Sequence, residues 1–146
     1  MKTAIINSDS FEKHNTGDGH PEQPKRIIAI KEKLKKRKDL IWKKPSNVPE
    51  NVLSMTHSKD YIDTLKNSFP QKGLQFLDGD TVVSPESKKA VFEAAGSTIK
   101  AIDGIENNQY QNAFCLARPP GHHADKNKAM GFCCISNAGV ATNYLI

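Results

Sequence analysis

Apolar positions recur in two rhythms along this chain of 146 residues. Residues 3–8, Thr-Ala-Ile-Ile-Asn-Ser, form a short β-branched run that predicts a buried first strand. Residues 11–24 are rich in Gly, Pro and Asn and predict a loop. From Pro21 or Glu22 to Lys38, Ile27, Ile30 and Leu34 repeat at helical spacing and predict an amphipathic helix. Residues 40–46 read as an edge strand ended by Pro45, and residues 49–57 and 58–68 as two short helices started by Pro49 and Ser58. Residues 69–84 predict another loop. Residues 84–105 carry the clearest helical signal. Ser84 is the expected N-cap, Pro85 takes the first helical position and Ser87 offers a second cap. Val91, Ala95 and Ile99 form its core stripe, with Ala94 and Ile102 beside it. Residues 112–117 predict a buried strand, and the small and apolar residues of 134–146 a final helix.

Strands alternating with helices predict an α/β domain over residues 1–146, with a parallel sheet and flanking helices. In such folds, ligands bind beyond the C-terminal ends of the strands. Two segments fall there: the loop after the first strand, with His14 and His20, and residues 118–123, Arg-Pro-Pro-Gly-His-His.

Composition narrows the class only a little. The chain is 37% hydrophobic and 25% charged, ordinary for a globular protein. Its net charge of +5 comes from 21 basic and 16 acidic residues. Much of the excess lies in residues 31–44, read as the solvated face and C-terminal end of a helix. That stretch has one aromatic, Trp42, and is interrupted by Glu32 and Asp39, so nucleic acid is not the expected partner. Three cysteines, two of them adjacent, make a poor disulfide framework and suit reduced thiols in the cytoplasm. No Cys-x-x-Cys pair offers a zinc knuckle, and no apolar run is long enough for a membrane span.

Residues 116–137 carry the chemistry. Pro119 and Pro120 fix the backbone, Gly121 permits a sharp bend, and His122 and His123 follow. A rigid loop presenting two imidazoles suits general acid–base work, because histidine titrates near neutrality. Gly131 lets the backbone approach a ligand closely, and Phe132 would wall a narrow slot.

Arg-Pro-Pro-Gly-His-His-Ala followed by Gly-Phe-Cys resembles the active-site signature of the histone deacetylase and acetylpolyamine amidohydrolase family, which has the arginase–deacetylase fold. Residues 19–30 are similar to that family's HPE-x-P-x-R loop and helix, residues 56–65 to its H-x-x-x-Y-I helix, and residues 77–96 to its D-T-x-x-S-x-x-S segment. The resemblance implies the N-terminal part of a three-layer α/β fold. It implies that His122 and His123 are the catalytic pair and that Gly131 and Phe132 line the acyl-lysine channel. It likewise implies Arg26 near the inner end of the pocket and Asp80 as the rim carboxylate gripping the substrate backbone. His20 would have a structural role in its loop, His57 one on its helix, and Arg118 would brace its loop.

The same resemblance marks two departures. The family's zinc ligands come from an Asp-x-His motif on the next strand and a later Asp; the Asp18-Gly19-His20 triplet here lies in the loop after the first strand, and residues 124–146 contain no Asp-x-His. Relatives have two consecutive asparagines where Ser136 and Asn137 stand. The chain is therefore expected to be the N-terminal portion of a zinc-dependent amidohydrolase, to bind no zinc alone and to be inactive alone. A complementing C-terminal fragment would restore hydrolysis of an acetylated amine. The alternative is a free-standing non-catalytic domain that uses the cleft, or its exposed sheet edge, for binding; self-association would bury that edge.

Overall fold

The computed structural model describes residues 2–146. Three strands form its parallel sheet: β1 (Thr3–Ile6), β2 (Leu40–Lys43) and β5 (Asn112–Cys115), in the order β2-β1-β5. Thr3 aligns with Leu40 on one side and with Asn112 on the other. β1 is central, which explains its unbroken apolar run: Ala4, Ile5 and Ile6 are all buried. Ile5 points into a cluster with Phe11, Ile27, Ala90, Ala94 and Leu116. Ala4 and Ile6 point the other way, against Tyr110, Ala101 and Ala113. β2 is an edge strand, as its sequence predicts.

Helices surround the sheet: α2 (Pro24–Leu34), α3 (Glu50–Thr56), α4 (Lys59–Asn67), α5 (Ser87–Glu106) and α6 (Asn137–Leu145). The predicted stripe on α5 is real. Val91, Ala95 and Ile99 are buried in a cluster with Leu53, Ile62, Leu65, Ile135 and Val140. Ser58 caps α4 by accepting from the Tyr61 amide, and Ser136 caps α6 by accepting from Gly139. No helix among the described residues is long and apolar enough to cross a membrane.

Several expectations need correction. The segment read as a loop from residue 11 begins inside a single helical turn, α1 (Ser10–Lys13), whose Phe11 is fully buried; tertiary burial outweighs the turn-forming composition that follows. The segment read as a loop over 69–84 contains a small antiparallel ladder, β3 (Gln75–Phe76) with β4 (Val82–Val83), too short to show a strand period. α2 begins at Pro24 and ends at Leu34, and its Ile30 faces solvent at 41% exposure. Ser84 is not the cap of α5. It forms a turn with Ser87, whose amide bonds the Ser84 carbonyl and whose Oγ accepts from the Ser84 amide at 2.8 Å. β5 is not buried throughout: it lies at the end of the three-strand order, and Phe114 is 47% exposed.

Candidate active site

The His-His loop starts where β5 ends, so the sheet fixes one end of it. Its next anchor is Arg118, which is 3% exposed. Arg118 donates from Nε to Glu22 Oε1 at 2.6 Å and from Nη2 to Glu22 Oε2 at 2.8 Å. Its Nη1 donates to the carbonyls of Phe11 and His14, each at 2.8 Å. One guanidinium thus ties the His-His loop to the loop after β1, the bracing role the sequence implied. The Arg118–Pro119 peptide is cis. At the far end, Gly121 accepts from the Ala138 amide at 2.9 Å. A Cβ on Gly121 would lie 2.1 Å from Asn137 Cγ, so glycine is required where the loop meets the start of α6.

The opposite wall is a tight turn over Met130–Cys133, closed by Met130 N to Cys133 O at 3.1 Å and the reverse bond at 3.0 Å. Gly131 and Phe132 sit at its centre with φ of +57° and +69°. A positive φ is easy for glycine and strained for phenylalanine. Phe132 is held there by its amide, which donates to Thr81 Oγ1 at 3.0 Å, and by its ring, 4.9 Å edge-on from His20. A Cβ on Gly131 would meet His123 Cβ at 2.8 Å, so the absence of a side chain lets the turn lie against the second histidine.

His20 links this wall to the rim. Its Nδ1 accepts from the Glu22 amide at 3.0 Å, which leaves Nε2 to donate to the Asp80 carbonyl at 3.0 Å. Asp80 rides on a turn organised by Asp78, whose Oδ1 accepts from the amides of Asp80 and Thr81. Burial opposes ionisation of Asp78, but these donors outweigh it and hold the carboxyl below its ordinary range.

These walls enclose an open cleft of about 430 Å³ lined by Glu22, Arg26, Asp80, Pro120, His122, His123, Gly131 and Phe132. The structure therefore brings together all six residues singled out from the sequence: Arg26, Asp80, His122, His123, Gly131 and Phe132. The two imidazoles face the same space, with ring centroids 4.2 Å apart. Arg26 is largely exposed and stands 3.7 Å from the buried Glu22 carboxylate. It also lines an adjoining cleft of about 210 Å³ with Ile27, Ile30, Phe114 and Arg118.

The zinc implied by the resemblance can be tested against these side chains. Among the described residues, no three His, Cys, Asp or Glu side chains gather to hold a metal ion. His122 and His123 offer two nitrogens without a third ligand beside them, so residues 2–146 do not fit a zinc centre.

Some contributors were not foreseen. Glu22 lies within the HPE motif, yet its pairing with Arg118 across 96 residues leaves no local pattern. Ser87 bonds His14 Nδ1 at 2.6 Å, behind the same loop. Cys133 directly follows the Gly-Phe pair, and its Sγ lies 3.5 Å from both the His122 and His123 amide nitrogens. His57, read as structural, donates from Nδ1 to the Lys126 carbonyl and accepts the Ser136 amide at Nε2, 2.9 Å away.

The chain resembles characterised and uncharacterised proteins across nearly its whole length. It is 40% identical to an uncharacterized protein of Synechocystis sp., over 98% of this chain and 48% of that protein. It is 32% identical to Histone deacetylase 5 of Arabidopsis thaliana, over 99% of this chain and 24% of that protein. A probable deacetylase of Archaeoglobus fulgidus is 28% identical over all of this chain and 42% of its own. The crystal structure of the HDA15 HD domain superimposes with a TM-score of 0.88 at 29% identity, covering 97% of this chain and 42% of that one. The chain thus spans less than half the length of each of these relatives. Its parallel sheet with flanking helices is the α/β arrangement of that domain. The histone deacetylase domain model matches residues 20–146, most of the sequence, and the chain belongs to that family.

Proposed function

We propose that this chain supplies the proton-transfer pair and the acyl slot of a hydrolase acting on acetyl amides of lysine, polyamines or related amines. The observation that carries the reading is the single cleft shared by His122, His123, Gly131, Phe132, Asp80 and Arg26. The imidazoles are close enough to handle protons of one reacting amide: one removes a proton from the attacking water, the other delivers one to the leaving amine. Gly131 and Phe132 give the slot an apolar wall that excludes water from an alkyl chain. Asp80 at the rim accepts hydrogen bonds from substrate N–H groups. Arg26 sets a positive charge on the other side of Glu22, suited to a carboxylate product.

The side chains that hold the family's metal would come from polypeptide outside residues 2–146, either a continuation of the chain or a complementing fragment. The test is hydrolysis of an acetyl-lysine peptide. Fusion of this chain to the part of the Synechocystis relative that it does not cover should give a zinc-dependent hydrolase. The chain alone, with zinc added, should give none. Turnover by the chain alone, or an inert folded fusion beside an active parent, would overturn the reading.

The exposed Phe114 on β5 favours a second reading, a non-catalytic domain that self-associates through that edge. Light scattering decides: a dimer abolished by Phe114→Lys supports it, and a monomer at high concentration removes it.

A further inference from the structure

We propose that Cys133 is a positioning residue for the His122–His123 pair, a role that rests on reading that pair as the proton-transfer groups. Its thiol is fully buried beneath the loop. Sγ accepts from the His122 and His123 amides, each at 3.5 Å, and donates to the Gly131 carbonyl at 3.3 Å. Among the described residues, no other acceptor takes either histidine amide. One sulfur atom therefore joins the two arms of the cleft, the imidazole loop and the Gly-Phe turn.

The choice of sulfur has a physical reason. Two consecutive amides converge on one point, a geometry that calls for a single large acceptor. Sulfur is bigger than oxygen and sits farther from its Cβ, so it reaches both amides at once. The backbone of Cys133 is itself fixed by two hydrogen bonds to Met130 across the turn, so Sγ has a stiff mount. The Gly131 backbone, held from below through its carbonyl, presses against His123 from the other side. Loss of the thiol frees two adjacent amides and lets each imidazole rotate away from its neighbour.

Nuclear magnetic resonance on the chain itself tests this without needing turnover, so failure of the hydrolase reading would leave the test standing. In Cys133→Ala, hydrogen exchange at the His122 and His123 amides should rise at least tenfold, and the Overhauser contact between the two imidazole rings should vanish. The Val140 amide, bonded inside α6 to Ser136, should keep its rate. Unchanged exchange at both histidines with the ring contact intact would overturn the proposal. Should Cys133→Ala fail to fold, Cys133→Ser carries the test. Its shorter-reaching oxygen loses at least one amide, so faster exchange at His122 or His123 supports the role. Wild-type exchange at both overturns it.

Discussion

Glu22 and Arg118 form a bidentate ion pair with both side chains almost wholly removed from solvent, at 2% and 3% exposure. The pair joins the loop after the first strand to the loop that carries the histidines. Neither charge lacks partners, since Arg118 also donates to the carbonyls of Phe11 in α1 and of His14 just after it. Such a pair contributes little net stability over an apolar replacement, but losing one partner strands a buried charge. Glu22→Gln and Arg118→Met should each destabilise the fold by about 3–5 kcal/mol. Urea unfolding checks this. The double variant should be less damaged than the two losses summed, because neither charge is then stranded.

Stability should fall as the solution is acidified from pH 7. His14 is held down to about 3, first by burial and then by the nearby Arg118 guanidinium. The Glu22 carboxylate 3.8 Å away does not reverse this, because Arg118 already occupies both of its oxygens. His57 is lowered too, with burial the main cause. Both histidines are neutral in the fold, whereas in the unfolded chain they take up protons near the ordinary value of about 6.5. The unfolded state therefore binds more protons below that pH, and the loss continues down to about 3 for His14. The slope approaches about 1.4 kcal/mol per pH unit for His14, and His57 acts in the same direction. Urea midpoints at pH 7 and pH 5 measure it, and His14→Gln should flatten the dependence.

Gly131→Ala should injure the cleft more than the fold. The new Cβ meets strain from the positive φ and a contact of 2.8 Å with His123. The expected stability cost is about 1–3 kcal/mol. The imidazole should be displaced at the same time, read as altered ring shifts of His123 with those of His57 unchanged. In a completed enzyme, turnover should fall far more than the unfolding midpoint.

Ser58→Ala offers a contrasting, purely structural loss. Ser58 Oγ accepts from the Tyr61 amide at the start of α4. Removing it should cost about 1 kcal/mol in urea unfolding and leave the histidine ring shifts untouched.

The parts of the molecule legible from sequence were those governed by local rules. β1 was visible because a central strand buried on both faces needs an unbroken β-branched run. The stripe on α5 followed from helical spacing. His122, His123, Gly131 and Phe132 were legible because their chemistry is written in short motifs: prolines that stiffen, a glycine that bends, paired imidazoles; Arg26 and Asp80 were legible only through the family resemblance. The misses share a different cause. α1 exists because Phe11 finds a core contributed by Ile27, Ala90 and Leu116, which are distant in sequence. The ladder of Gln75–Phe76 with Val82–Val83 is held by pairing that two-residue strands cannot announce. Ser84 reads as a cap but bonds to Ser87 in a turn instead. Glu22 and Cys133 act through partners fixed only once the chain has folded.

The measurement that bears most directly on the shared cleft is steady-state hydrolysis of an acetyl-lysine peptide by the fused enzyme, comparing wild type with His122→Ala and His123→Ala. Loss of a proton-transfer imidazole should lower kcat by about 10²- to 10⁴-fold in each variant, with KM nearly unchanged. Wild-type kcat in either variant would contradict the proposed proton-transfer role of that imidazole.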